Sequence, residues 1–254
     1  MQRITRKELQ RIAALSERKE RLQQQRFKVE GRKIISDLLA SGYAFQAVYS
    51  AVEDFPAEEL CRKTGAQYLE VSPQELKQMS SHQTPQGMLA LASLPKPSAE
   101  KLQFPALLLD SVQDPGNMGT IVRIADWYGI RHLICNTACA DLYNPKVLQA
   151  TMGSFARITL HAYEDLFEAV KGFRQHHPNL RVVVTSLNGS ANIPRESGPV
   201  LLCMGNESKG ISPELSSIAT HHLLIGGAPS RFADSLNVSV ACGIACDRLF
   251  GSDK

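Results

Sequence analysis

Ala106-Leu107-Leu108-Leu109-Asp110-Ser111-Val112-Gln113-Asp114-Pro115-Gly116-Asn117 is the stretch on which the fold turns. Residues 106–112, opening on four apolar residues, read as a short buried strand. They lead into a turn, Asp114-Pro115-Gly116-Asn117, and then into an apolar-periodic segment that continues through Tyr128. Strand, loop and helix in that order are the unit of a parallel α/β sheet. The alternation recurs downstream, with strands expected at 132–136, 157–160, 181–186, Val200–Met204 and 222–225 and helical stretches such as 163–176 between them. In such sheets ligands bind beyond the carboxyl ends of the strands, so the loops there are where chemistry is to be sought.

Upstream, Pro95, Pro97 and Pro105 bracket Ser98-Ala99-Glu100-Lys101, a stretch with no period of either kind, which marks a linker over 95–105. Ahead of it, residues 26–94 alternate helical signals (31–40, 56–64) with extended ones (44–50, 66–71, 86–94). Ser72-Pro73-Gln74-Glu75 reads as an N-cap followed by proline at the first helical position. The expectation is a small α/β unit over 26–94, with a larger α/β domain at 106–254. Residues 1–25 open with a capping-box spacing at Thr5 and Glu8 and read as one polar helix, too poor in apolar positions to serve as a core element.

Charge is unevenly spread. Residues 1–33 carry 11 Lys/Arg against 4 Asp/Glu, so the formal net charge of +3 comes from a basic amino end and an otherwise acidic chain. Such a block is either a solvated helix face or a patch that attracts phosphates, and alone it decides nothing. No run approaches the roughly 18 consecutive apolar residues of a membrane span, and no apolar signal segment follows the first residues. A soluble, cytoplasmic protein is expected, with no membrane partner. Cys61, Cys135, Cys139, Cys203, Cys242 and Cys246 include no Cys-x-x-Cys and mostly sit among apolar neighbours, as reduced structural thiols do. No metal site is expected.

Three loops stand out. Asp114–Arg123 has glycines that let a backbone approach a ligand, Asn117 as a candidate cap and Arg123 about one and a half turns into the helix. Met204-Gly205-Asn206-Glu207-Ser208-Lys209-Gly210-Ile211 follows a second apolar strand. Ser235-Leu236-Asn237-Val238-Ser239 opens a helix whose body is small and apolar. Each alone passes for a capped helix or a glycine turn. Neither Gly-x-Gly-x-x-Gly nor a Walker-type Gly-Lys-Ser is present, which removes the main support for nicotinamide and nucleoside-triphosphate readings.

Together and in this order, Asn117-x-Gly119-x-x-x-Arg123, Gly205-x-Glu207-x-x-Gly210-Ile211 and Ser235-Leu236-Asn237-Val238-Ser239 resemble the motifs of the SpoU (TrmH-like) RNA methyltransferases of the SPOUT superfamily. Ala150-Thr151-Met152-Gly153-Ser154 is similar to that family's Ser/Ala-rich loop, and the likeness covers roughly 104–250. Arg26-Phe27-Lys28-Val29-Glu30-Gly31 resembles the opening of the ribosomal-protein-like substrate-binding domain that many of these enzymes carry.

The resemblance implies a C-terminal parallel α/β/α domain with a trefoil knot, an exception to the rule against knots. It implies S-adenosylmethionine as methyl donor, RNA as substrate and a homodimer, for which the apolar helix 236–250 is suited. The ribosomal-protein-like domain favours ribosomal RNA over tRNA, and an inactive RNA-binding protein of the same fold is the alternative from a different class. The donor-binding positions implied are Leu187, Met204, Gly205, Gly210, Ile225, Leu236 and Asn237. The catalytic positions are Arg123, Asn117, Glu207, Ser235 and Asn237, with the asparagines and Ser235 orienting the ribose. The sulfonium already activates the leaving group, so the protein has to position and deprotonate the hydroxyl, and no metal is needed. Arginine stays protonated, so Arg123 suits a phosphate and a developing alkoxide better than it suits a free base. Glu207 suits fixing Arg123 or the loop better than abstracting the proton itself, and its role as general base stays open beside that of the substrate's own phosphate.

Overall fold

The computed structural model describes residues 4–96, 101–194 and 198–251, apart from the side chain of Phe55. It divides into two compact units. One takes in the described residues up to Lys96 together with Asp141–Ala156, and the other takes in the remainder. Four residues of the expected linker, 97–100, lie outside the described residues.

In the first unit the amino end is not one helix. α1 (Arg6–Ala14) and α2 (Arg18–Gln24) are separated by a break at 15–17. Arg21 holds the break: it is buried, and its Nη1 donates to the carbonyls of Leu15 and Ser16, both at 2.8 Å. Its Nη2 lies 2.6 Å from Asp141 Oδ2. The helix is also no bystander, because Leu9, Ile12 and Leu15 recur every three residues and sink into a core with Tyr49, Met79 and Leu89. The low apolar content of the segment concealed a stripe only three residues wide.

A four-stranded sheet follows, built from β1 (Arg26–Glu30), β2 (Ala47–Ser50), β3 (Gln67–Glu70) and β4 (Met88–Ser93) in the order β1-β4-β2-β3. β4 runs antiparallel to both neighbours, and β2 and β3 are parallel. Helices α3 (Arg32–Ala40), α4 (Phe55–Thr64) and α5 (Pro73–Met79) connect them, and α5 begins with the full Ser72/Glu75 capping box. β1 was not legible as a strand, because charged Arg26, Lys28 and Glu30 alternate with Phe27 and Val29 as on a half-solvated edge. Lys28 and Glu30 are buried all the same. Lys28 Nζ donates to Met79 O at 2.6 Å and stands 3.9 Å from Glu30 Oε1.

The second unit is a six-stranded sheet, parallel throughout, of β5 (Ala106–Leu109), β6 (His132–Cys135), β7 (Thr159–Ala162), β8 (Arg181–Ser190), β9 (Val200–Met204) and β10 (His221–Leu223). Its order is β10-β8-β9-β5-β6-β7. β5 is the strand from which the chain builds first toward β6 and β7 and then, on the other side, toward β8 and β9. It is therefore the topological switch point, where adjacent loops diverge and leave a crevice. All four of its residues are fully buried, as a central parallel strand covered on both faces requires. Leu109 pairs with both Cys135 and Met204, so β5, β6 and β9 end level and their loops emerge side by side. Helices α6 (Pro115–Trp127), α8 (Leu166–His176), α9 (Pro213–Ser217) and α10 (Val238–Phe250) belong to this unit, and α7 (Pro145–Thr151) to the first. The six cysteines are free thiols, five of them buried. No helix among the described residues is long and apolar enough to cross a membrane.

Burial lowers the Lys28 ammonium to a pKa of about 8, against the attraction of Glu30, which raises it. Between that value and about 10.4 the unfolded chain binds one proton more than the folded one, so stability rises with pH across that window. Below pH 8 the penalty is present in full. Denaturant melts of the protein and of Lys28→Met at pH 7.5 and 10 should show the wild type gaining about 2–3 kcal/mol on the variant. Parallel pH dependences would mean that Lys28 is not held desolvated.

Candidate active site

The level strand ends are joined by one carboxylate. Asp110, directly after β5, is buried, and its Oδ2 accepts from Ser212 N–H at 2.8 Å. Its Oδ1 accepts from the Ser111 hydroxyl at 3.2 Å and from Asn136 Nδ2 at 3.3 Å. Ser111 adopts a left-handed φ of 62°, and its carbonyl accepts from Asn206 Nδ2 at 2.9 Å. Asp110 thereby ties the ends of β5 and β6 to the loop that follows β9. Cys139 Sγ packs under the same corner, donating to Leu109 O at 3.3 Å. Its thiol is held below the usual range, chiefly by its hydrogen bond with Cys135.

The loop after β9 is shut on itself. Asn206 and Gly210 exchange both backbone hydrogen bonds at 2.9 Å, and Asn206 Oδ1 accepts from the amides of Ser208 and Lys209 at 2.9 and 3.1 Å. A Cβ at Gly205 would stand 2.2 Å from the Gly210 carbonyl carbon and 2.3 Å from Ile211 N, so only glycine fits. Glycine here serves the closing of the loop before it serves any ligand.

Closed in this way, the loop presents Glu207 to the start of α6. Asp114, not Asn117, caps that helix, accepting from Asn117 N–H at 2.8 Å. Asn117 is thus a first-turn residue with its amide free to reach outward. Asn117 Nδ2 donates to Glu207 Oε1 at 3.1 Å, and Asp114 N–H adds a longer bond of 3.4 Å to the same oxygen. Asn237, the N-cap of α10, donates from Nδ2 to Asn117 Oδ1 at 2.9 Å. The three segments singled out in the sequence therefore meet in one chain of side chains, Asn237–Asn117–Glu207.

Other expected residues do not join that chain. Arg123 lies six residues beyond Asn117 on α6, which places it about 9 Å further along and roughly 120° around the helix. Its side chain is exposed and makes no hydrogen bond or ion pair with the described residues. Ser235 is exposed as well. Of the expected donor-binding positions, Leu187 is 65% and Leu236 49% exposed, unusual for leucine, while Ile225 is half-buried and Met204 is buried with its carbonyl taken by Asp110 N–H. Gly210 has a positive φ with open space around it. No group of three or more His, Cys, Asp or Glu among the described residues is placed to hold a metal ion.

Asp110, Ser111, Asn136, Asn206 and Ser212 were not foreseen. The available signal was an aspartate set directly against four apolar residues, since a carboxylate at the end of a buried strand must find donors.

Comparison with known proteins gives the following. The model of the SpoU rRNA Methylase family matches residues 105–247, and that of the MRM3-like substrate binding domain matches 6–90. The chain is 30% identical over 247 residues to the Bacillus subtilis 23S rRNA (guanosine(2553)-2′-O)-methyltransferase RlmP, covering 93% of each. Among solved structures it resembles a TrmH-family protein from Porphyromonas gingivalis, at 34% identity and a TM-score of 0.80 over 97% of this chain and 98% of that one. It also resembles an AdoMet-bound rRNA methyltransferase from Sinorhizobium meliloti, at 28% identity and a TM-score of 0.83 over 98% and 95% of the two chains.

The loop closure makes a local test possible. Gly205→Ala should cost about 1–3 kcal/mol by overpacking and should speed hydrogen exchange at the Asn206 and Gly210 amides. Gly226→Ala, where a Cβ meets nothing within 4 Å, should leave both unchanged. Equal behaviour of the two variants would contradict the closed loop.

Proposed function

The chain belongs to the SpoU rRNA methylase family, and we propose that it methylates a ribose 2′-hydroxyl of RNA, with ribosomal RNA as the substrate class and S-adenosylmethionine as the donor. The observation that carries this reading is the meeting of Asn117, Glu207 and Asn237 at the switch point of the sheet. Its relative RlmP is named for the same reaction on 23S rRNA.

S-adenosylmethionine, when bound, supplies a methyl group on a sulfonium that leaves without further activation. Leu187, Ile225 and Leu236 would wall its adenosine, and the backbones of Gly205 and Gly210 would let it approach; Met204 serves from below by fixing the end of β9. The protein's own work is on the acceptor. Arg123, always protonated, takes a backbone phosphate and stabilises the oxygen as its proton leaves. Ser235, in the loop ahead of α10, offers a hydroxyl to the ribose. The chain past Ser235 threads a knot, as the family resemblance implies.

The division 1–25, 26–94, 95–105 and 106–254 is read as a division of labour. The basic amino end and the substrate-binding unit hold RNA phosphates and an unpaired loop or bulge, where RNA is read specifically. A ribosomal RNA substrate puts the protein where ribosomes are, in the cytoplasm. Labelled methyl transfer to total RNA, followed by mapping of the nucleotide, tests the reaction; label in tRNA alone would overturn the substrate class. Arg123→Ala should lower transfer at least about a hundredfold while calorimetric binding of S-adenosylmethionine is kept. Full transfer in that variant would remove Arg123 from the reaction.

A homodimer is part of the same proposal. Trp127 on α6 is 84% exposed and Val240 on α10 51% exposed, and these two helices pack together. Exposed tryptophan on such a face favours a self-complementary contact. Sedimentation at micromolar concentration should give a dimer for the wild type and a monomer for Trp127→Lys. A wild-type monomer would refute it.

A further inference from the structure

The amide of Asn237 can be oriented in only one way. Its Oδ1 faces the N–H groups of Ser239 at 2.9 Å and Val240 at 3.4 Å and the buried Ser239 hydroxyl at 2.6 Å. An Nδ2 in that place would set donor against donor, so Nδ2 is turned outward, onto Asn117 Oδ1 at 2.9 Å. With its oxygen committed there, Asn117 has only Nδ2 left to offer Glu207, at 3.1 Å. The carboxylate accepts and cannot pass the pattern on. Each amide is thus fixed by the one before it, starting from backbone groups that cannot reverse.

We propose that this chain is a one-way hydrogen-bond relay, its polarity imposed by the first turn of α10 and terminated on Glu207. In it Asn237 and Ser239 are positioning residues of the methyl-transfer site, and Glu207 is the terminus that receives the relay, not the acceptor of the ribose proton. The proposal rests on the methyltransferase reading and deepens it. Ser239 gains a role that its place in the motif does not reveal, since its side chain is spent on a neighbour and never faces the crevice. Asn117 and Asn237, each with both amide ends engaged, hold loop 205–211 against the starts of α6 and α10. The ribose is then left to Arg123 and Ser235.

Polarity can be inverted. In Glu207→Gln the amide oxygen still accepts from Asn117 Nδ2 and Asp114 N–H, so transfer should stay within about tenfold of wild type. Asn237→Asp keeps an excellent cap for α10 but sets a carboxylate oxygen against Asn117 Oδ1. Turning Asn117 over only moves the clash to Glu207, so transfer should fall about a hundredfold or more. With both substitutions the relay runs backwards at the cost only of the longer Asp114 N–H contact at 3.4 Å: the new amide at 207 donates to Asn117 Oδ1, and Asn117 Nδ2 donates to the new carboxylate at 237. The double variant should recover at least about tenfold over Asn237→Asp alone. Ser239→Ala should lose several-fold and Ser239→Thr should restore it.

The four proteins are also compared by thermal melting, where the double variant should again be better than Asn237→Asp. That readout tests the relay even if no RNA is methylated, so a failure of the methyltransferase reading is told apart from a failure of the relay. Background activity in Glu207→Gln, with no recovery in the double variant, would show that the carboxylate is needed for its own chemistry and would overturn the proposal. Simple additivity of the two substitutions in both readouts would do the same.

Discussion

Asp110 is the constraint on which the rest of the site depends. A parallel strand buried on both faces must end somewhere, and at the switch point its end is also the floor of a crevice. A carboxylate placed there would be costly unless every oxygen found a donor. It finds three, from Ser212, Ser111 and Asn136, and each lies on a different piece of chain or turns a different corner. The residue after it takes a left-handed φ, which aims its carbonyl at Asn206. One carboxyl side chain thereby converts three adjacent strand ends into a platform of fixed loops.

On that platform the second layer is built from amides. Asn206 shapes the loop from below, while Asn117 and Asn237 join it to two helix starts from above. Amides suit this task because each carries a donor and an acceptor on one rigid plane, and a cap fixes which end is which. Hydroxyls, which rotate to suit, would leave the direction undetermined. Capping here has a second outcome beyond helix stability, since the orphan N–H groups of α10 decide how a side chain two loops away is turned.

Much of this was legible in the sequence and some of it was not. The parallel sheet was, because buried strands of four or five apolar residues between capped helices leave few alternatives. β9 falls on the residues the pattern named, Val200–Met204. β1 and the α1–α2 break were hidden for the same reason: in both, charged side chains are buried against partners that the local pattern does not reveal. Arg21 is fixed by Asp141, and Lys28 by Met79 and Glu30. Period and composition see only local polarity, and they assign a buried arginine to solvent. The site's three segments could be named, but not their wiring. Asn117 looked like a cap because Asp114, three residues earlier, does the capping and looks like turn chemistry.

The contrast between the amides and Arg123 follows from what each must do. A hydrogen bond inside the fold repays only the ordering of groups already near one another, so the amide chain can be assembled before any substrate arrives. A guanidinium meant for a phosphate gains nothing from an internal partner, because a carboxylate that satisfied it would have to be displaced at a cost near the bond's own worth. Glu207 spends its Oε1 on Asn117 and Asp114. The relay fixes the loops, while the geometry of α6, which sets Arg123 about 9 Å along and roughly 120° around from Asn117, leaves the five donors of Arg123 for a charge that comes from outside the chain.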